Sequence, residues 1–395
     1  MAFKTTGSRP QSRHLDVLLV ITELRVGGAE RCLMHLALGL AERGFAVGVV
    51  SLASPPSPNQ DALVRQLQLR EIPVEFLGAD RLYQVSRAIR GLRRLIRIHQ
   101  PRLVHAFLFH AIIITALTPT GAPDRSRIAG LRVTEQPVWR KCLLRILQMR
   151  FQRFVCVSQS VADHAHHGIG LDLAKLTVIP NGVAVPAPSP IHPASWGDFG
   201  IPHDAPVIVA VGRLAYQKGM DRLVELAPQL LNALPQHHLV IFGDGPLRAQ
   251  LMDHIRQTPL ADRIHLIGWR HDVRERLANS NTRLFVLPSR WEGMPQALME
   301  AMAAGLPIVA MRVEGVEEIL GDPDLIDIQT VPLGPHEDLA FTRRIVALLT
   351  DPVAAESCGI RNRQRITTHF GLEPMVTRHI GLYQTVGKEV PTHRS

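Results

Sequence analysis

No apolar run in this chain of 395 residues reaches the ~18 residues that a membrane-spanning helix needs. The apolar segment nearest the start, "LDVLLVIT" from Leu15, is short, lacks a small-residue cleavage site and is followed by Glu23 and Arg25. It reads as a first strand rather than a secretion signal. Cysteine is scarce. Cys32, Cys142, Cys156 and Cys358 lie far apart, which argues against a paired-cysteine metal or redox motif and predicts free thiols in a reducing cytoplasm. Aromatic residues make up 5% of the chain and no nucleic-acid-binding motif occurs, so nucleic acid is not an expected partner. Neither glycine-rich first turn carries a full G-x-G-x-x-G with an acidic residue about twenty positions on, which argues against a nicotinamide dehydrogenase.

What the chain does contain is the composition of a soluble globular protein, 46% hydrophobic and 20% charged, at a length that predicts more than one domain. The charge is uneven. Residues 1–190 hold 24 Lys and Arg against 12 Asp and Glu, whereas 191–395 hold 20 against 23. The net +9 therefore belongs to the first half, and any function must account for that asymmetry.

The two halves share one grammar. After a basic tail, 1–13, the first half runs strand "VLLVIT" (Val17–Thr22), glycine turn, helix ended by Gly44, then strand "AVGVVSL" (Ala46–Leu52). Further strands are predicted at Arg102–Phe107, Ser126–Val133, Arg153–Ser158 and from Lys175, with helical stretches between them. A proline-rich linker, 189–206, divides this first domain, 14–188, from a second, 207–370, where the pattern restarts. Strands are predicted there at Val207–Leu214, from His238, at Arg263–Trp269, Thr282–Ser289 and Pro307–Met311. Short apolar runs alternating with amphipathic helices specify α/β architecture: two doubly wound, Rossmann-like parallel sheets facing one another across a cleft. A last helix, 371–390, is expected to return to the first domain.

Chemistry concentrates in the loops that follow the second domain's strands. "VGRLAYQKG" sets Arg213 and Lys218 beside two glycines, a fork-shaped and a point cation suited to one diphosphate, although two solvated surface cations would read the same. "FGDGP", with Gly243 and Gly245, is a turn where backbone approaches its surroundings closely. In "PSRWEGMPQALMEAMAAG" two carboxylates stand among small and apolar residues. Pro295 suits the start of a helix of about ten residues and Gly305 its end. Glu292 then lies in the loop before the helix and Glu300 inside it, so the pair is not a face-sharing acid couple. The helix start near Gly293, Met294 and Pro295 offers free N–H groups for a phosphate between them.

Together "GGAE" (Gly27–Glu30), "VSQSV" (Val157–Val161), "VIPNGV" (Val178–Val183), "VGRLAYQKG", "FGDGP", "IGW" (Ile267–Trp269) and the Glu-x7-Glu segment resemble the family 4 glycosyltransferases of the GT-B fold, over residues 15–385. The resemblance implies a retaining, metal-independent transfer from a nucleotide-diphosphate sugar to a glycan or lipid-linked acceptor, in surface polysaccharide or glycolipid assembly. Glu300 would bind the ribose hydroxyls and Glu292 hydroxyls of the transferred sugar. Arg213 and Lys218 would grip the diphosphate, backbone at Gly268 and Trp269 would recognise the base, and Gly27 and Gly28 would approach from across the cleft. No cofactor is implied beyond the donor substrate itself. Two other functions compete: the same chemistry on a small soluble acceptor, and sugar-nucleotide binding without catalysis.

Where many members carry His-x-His, this chain reads "VHAFLFHA". His110 is the candidate facing sugar or acceptor; ordinary core histidines at His105 and His110 are the competing reading. Glu30 reads as a helix-start residue that complements the dipole. The densest basic segment places Leu82, Val85, Ile89, Leu92 and Ile96 on one helical stripe, with Arg87, Arg90, Arg94 and Arg97 beside it and Arg93 at the border. A second basic cluster, Trp139–Arg153, mixes arginines with large apolar residues. Both are expected either to be solvated domain helices or to meet an anionic membrane surface on the cytoplasmic side.

Overall fold

The computed structural model describes residues 14–389 apart from 26, 59, 120, 122–124, 134–136 and 186–194, and leaves the side chains of 82, 388 and 389 aside. The tail 1–13 and much of the proline-rich linker lie outside the described residues.

In the first domain the strands are β1 (Val17–Ile21), β2 (Val47–Ser51), β3 (Val74–Phe76), β4 (Leu103–Phe107), β5 (Ser126–Leu131), β6 (Arg153–Cys156) and β7 (Leu176–Val178). Helices α1 (Gly28–Glu42), α2 (Ala62–Leu69), α3 (Val85–His99), α4 (Phe109–Leu117), α5 (Val138–Leu147) and α6 (Gln159–Asp163) connect them. The strands pair in parallel in the order β3-β2-β1-β4-β5-β6-β7. Every residue of β1, β2, β4 and β5 is buried, as a sheet covered on both faces requires. β3, at the edge, is the strand the sequence pattern missed; three residues, two partly covered and Glu75 exposed, carry too little periodicity.

The second domain repeats the plan. Its strands are β8 (Val207–Val211), β9 (His238–Phe242), β10 (Ile264–Gly268), β11 (Thr282–Leu287), β12 (Ile308–Met311) and the two-residue β13 (Thr330–Val331), in the order β10-β9-β8-β11-β12-β13. Helices α7 (Met220–Ala233), α8 (Arg248–Gln257), α9 (Val273–Leu277), α10 (Gln296–Ala303), α11 (Val316–Leu320), α12 (Pro323–Gln329), α13 (Glu337–Thr350) and α14 (Pro352–His369) surround the sheet. In both sheets the order reverses at one place, between β1 and β4 and between β8 and β11. Ligands of open α/β sheets bind outside the carboxyl ends at such switch points, so the topology selects the loops after β1, β8 and β11.

The boundary differs from the sequence reading. From Ser195 onward the stretch read as linker packs on the second domain: Trp196 is 2% exposed, lies 6.1 Å from Phe242 ring to ring, and Arg276 stacks over Phe199 at 4.2 Å. The last helix, α15 (Leu372–Glu389), lies along α1. Met375, Val376, Tyr383 and Val386 enter the apolar cluster of the first sheet. A Cβ on Gly39 would fall 2.5 Å from Val376, so the two helices meet at that glycine.

Candidate active site

The loops after β8 and β11 press together to form one wall of the cleft. Gly219 ends the first of them at φ +64, and a side chain there would overlap the Pro288 carbonyl. This contact brings Lys218 onto the second loop. Its ammonium lies 2.5 and 2.7 Å from the two carboxylate oxygens of Glu292, and the Ser289 hydroxyl donates to the same carboxylate at 2.8 Å. Glu292 is buried, so these partners offset the cost of removing its charge from water. The sequence reading gave Lys218 to a diphosphate and Glu292 to a sugar; the structure joins them. Arg213, in the same loop, is exposed.

The glycines of "FGDGP" have a backbone cause. A Cβ on Gly243 (φ +143) would overlap the Gly212 carbonyl, and one on Gly245 (φ +158) would fall 2.5 Å from that of Leu214. That loop therefore crosses the Arg213 loop at backbone contact and holds it in place. Gly268 (φ +90) admits the Arg248 guanidinium, and Trp269 beside it is half-buried.

α10 begins at Gln296, with Pro295 as an extended N-cap at ψ 107°, so it spans eight residues rather than the expected ten. Its first-turn N–H groups point back toward the loop of Glu292 and Gly293. Facing it is the start of α1, whose N-cap is Gly27. A Cβ on Gly28 would fall 3.5 Å from Cβ of Gln296, so two helix N-termini, one from each domain, confront one another. The approach is tight elsewhere too. A side chain on Gly293 would overlap the Arg132 carbonyl, Met294 accepts from the Asn181 N–H at 3.2 Å, and the Gln296 amide donates to the Gly182 carbonyl at 3.1 Å.

Glu300, the second carboxylate, is also buried, and its Oε1 accepts from Arg31 of α1 and from Arg274 of α9, the latter at 3.3 Å. Sequence reasoning passed over both arginines. Arg31 follows "GGAE" directly, and its place in the first turn of a cleft-facing helix is the signal that was available. Arg274 has no such signal, because only the fold brings α9 to α10.

Glu30 does stand in the first turn of α1, but it is more than a helix-start residue. Its carboxylate curls over Gly27, where any side chain would meet it. Burial pushes its pKa up to about 7, with Glu23 adding, while its own backbone N–H, Arg132 and Arg213 pull the other way. His105 is a core histidine. It is fully buried, shares a 2.8 Å hydrogen bond between Nδ1 and the Tyr383 hydroxyl, and is held well below its usual pKa by burial, then by His379 and Arg132. His110 is half-buried in the first turn of α4 beside Phe109, its pKa lowered by burial and by Arg140. The N-cap before it, Leu108, has φ +71, a strained value for leucine. An Asp-x-Asp sequence, which a metal-dependent transferase would use, occurs at Asp322–Asp324 and escaped the sequence reading. It caps α12: Asp322 accepts from the Asp324 and Leu325 N–H groups and pairs with Arg361.

The predicted apolar stripe of α3 is shifted. Ala88, Leu92, Leu95, Ile96 and His99 are the buried residues of α3, while Val85 is exposed. Arg87, Arg90, Arg93, Arg94 and Arg97 are all exposed.

Two family models match consecutive parts of the chain: Glycosyltransferase Family 4 over residues 26–185 and Glycosyl transferases group 1 over 196–365. A human phosphatidylinositol N-acetylglucosaminyltransferase chain is 29% identical over 308 residues, 75% of this chain and 61% of that protein. An Escherichia coli UDP-Gal:alpha-D-GlcNAc-diphosphoundecaprenol alpha-1,3-galactosyltransferase is 34% identical over 171 residues, 41% of this chain and 43% of that one. This chain thus spans less than two thirds of either relative. Among solved structures, Anabaena HepE in complex with UDP and glucose superimposes with a TM-score of 0.79 at 19% identity, covering 94% of this chain and 100% of that one. Sucrose-phosphate synthase from Thermosynechococcus elongatus does so with 0.78 at 18% identity, covering 95% and 100%. These likenesses establish the GT-B fold, and with the two family models they show that the chain belongs to the family 4 glycosyltransferases.

Proposed function

We propose that the protein transfers a sugar, with retention of configuration and without a metal, from a nucleotide-diphosphate sugar to a glycan or lipid-linked acceptor. The observation that carries this reading is the meeting of the α1 and α10 N-termini, one from each domain, at van der Waals distance. It is flanked by Lys218 and Glu292 on one side and by Glu300 on the other. A diphosphate bound at the edge of that junction would meet N–H groups from both domains, with the sugar toward Glu292 and the ribose toward Glu300. As the glycosidic bond breaks, negative charge grows on the leaving phosphate. Fixed N–H dipoles, Lys218 and Arg213 stabilise it, which is the role a divalent cation plays in other transferases. The leaving phosphate then takes the proton of the attacking acceptor hydroxyl, on the same face that it leaves.

A thermal-shift series with UDP, GDP, ADP and their common sugar conjugates tests the donor assignment: one nucleotide should raise the melting temperature selectively. No shift with any of them would remove the basis for the proposal. A shift without any transfer or donor hydrolysis would make the protein a binder rather than an enzyme.

The lipid-linked acceptor is supported by the surface of the first domain. Residues 81–153 hold 15 Arg and Lys against two acids, Asp124 and Glu135. α5 buries only Leu144, while Val138, Trp139 and Ile146, and Met149 just beyond it, are 56–79% exposed. Apolar side chains set among cations suit an anionic lipid surface, with the exposed arginines of α3 toward headgroups. Co-sedimentation with phosphatidylglycerol vesicles but not with neutral phosphatidylcholine vesicles is the expected result; equal binding to both, or to neither, would sink it.

A further inference from the structure

Glu300 has a partner that its proposed role does not explain. One of its hydrogen bonds comes from Arg31, in the first turn of α1 and so in the opposite domain. Arg274, the other donor, belongs to the same domain as Glu300 and lies beside it through the contact of α9 with α10. Both guanidinium groups address Oε1. A carboxylate oxygen offers about two lone-pair directions, so two donors fill Oε1. A ribose presents two adjacent hydroxyls, and a carboxylate recognises such a diol by accepting one hydrogen bond on each oxygen. Glu300 therefore cannot grip a ribose in that way while it holds both arginines.

Of the two, Arg31 stands in the way. It reaches Glu300 across the domain boundary, from the first turn of α1. Its side chain is 25% exposed against 4% for Glu300, so of the two partners it is the one that solvent, and a ligand, can reach. The imidazole of His35, one turn further along α1, lies in the field of both arginines and of Glu300, and is held neutral, near pKa 4, by burial and then by the two arginines. It offers Glu300 no competing charge at neutral pH, so Arg31 is the only cation α1 is seen to supply to this carboxylate among the described residues.

Resting on the donor reading above, we propose that Arg31 is an internal competitor for the ribose: it ties the two domains together through Glu300, and a nucleotide binds by taking its place. Binding then trades a cross-domain ion pair for two hydroxyl contacts, and the domain link loosens as the donor seats. The affinity of the site is lower than the contacts to the nucleotide alone would give, because part of the interaction energy goes into releasing Arg31.

The test is a double-mutant cycle on UDP affinity, measured by titration calorimetry with wild-type protein, Arg31→Ala, Glu300→Gln and the double variant. Arg31 is partly exposed on a helix and alanine favours helices, so the single variant should fold. Its melting temperature and an Arg31→Lys variant check this, the lysine restoring part of the wild-type behaviour. We expect Arg31→Ala to bind UDP about ten-fold more tightly, equivalent to about 1.4 kcal/mol. We expect no such gain in the Glu300→Gln background, where the competition no longer exists. Unchanged UDP affinity in Arg31→Ala overturns the inference. So does weaker binding in both backgrounds, which would make Arg31 a direct phosphate contact. If wild-type protein binds none of UDP, GDP and ADP, the donor reading falls and takes this inference with it, an outcome distinguishable from binding that ignores Arg31.

Discussion

The ammonium of Lys218 sits 2.5 and 2.7 Å from the two oxygens of Glu292, so the cation assigned to the leaving group and the acid assigned to the sugar are one partly buried ion pair. Neither charge can be removed without altering the other. Glu292→Gln keeps the shape and the Ser289 contact but frees Lys218 for phosphate. Transfer should fall at least 100-fold while UDP affinity holds or improves. A fully active Glu292→Gln protein would show that this carboxylate does not serve the sugar.

Lys218→Ala should behave differently. Among the described residues it leaves the buried carboxylate with only the Ser289 hydroxyl as a side-chain donor, so it should both lower the melting temperature and weaken UDP. The destabilisation expected is about 3 kcal/mol, the lower end for breaking a buried pair, since the Lys218 side chain is 23% exposed. Differential scanning calorimetry with and without UDP separates the two effects; a variant as stable as wild type would mean that the pair is open to water.

Gly293→Ala tests the domain contact. The added methyl group overlaps the Arg132 carbonyl, and both partners are backbone, so neither can swing aside. The two walls must separate. Each domain should stay folded, while small-angle scattering shows a larger radius of gyration and the UDP-dependent thermal shift shrinks. An unchanged shift would place the contact outside the donor site.

Stability should depend on pH in a direction set by buried histidines. His35, His265 and His379 each have folded pKa values near 4, caused first by burial, against 6.5 in an unfolded chain. Between those values the unfolded state binds more protons, so stability is lost as pH falls from 6.5 toward 4. Glu30 acts oppositely: its folded pKa of about 7 lies above the unfolded 4.5, so its ionisation costs stability as pH rises through that window. Three histidines outweigh one acid, and the melting temperature should drop between pH 6.5 and 5. In Glu30→Gln the drop should be steeper, because the opposing group is gone; a shallower drop would contradict the assignment of Glu30.

Much of this molecule was legible in its sequence because the signals are local. Continuous apolar runs fixed the interior strands, and a parallel sheet buried on both faces needs such runs. The Glu-x7-Glu segment was legible as a candidate loop because loop, helix start and helix lie within 18 residues of one another. β3, β13 and the packing of Trp196 were not legible: two or three residues carry no period, and a proline-rich neighbourhood resembles a linker whether or not its tryptophan is buried.

What the sequence could not supply is which charges share a space. Lys218 and Glu292 are 74 residues apart, and Arg31 and Glu300 are 269 apart. Residue types and spacing determine that a basic loop, an acidic loop and a glycine-rich helix start exist, because each follows from backbone conformations encoded over a few neighbouring residues. Tertiary structure alone decides their pairing, since a charge interacts over a few ångströms of space and not along the chain. For that reason the fold and the candidate loop belong to the sequence, while the partners of Glu292 and Glu300 belong to the way two sheets face each other.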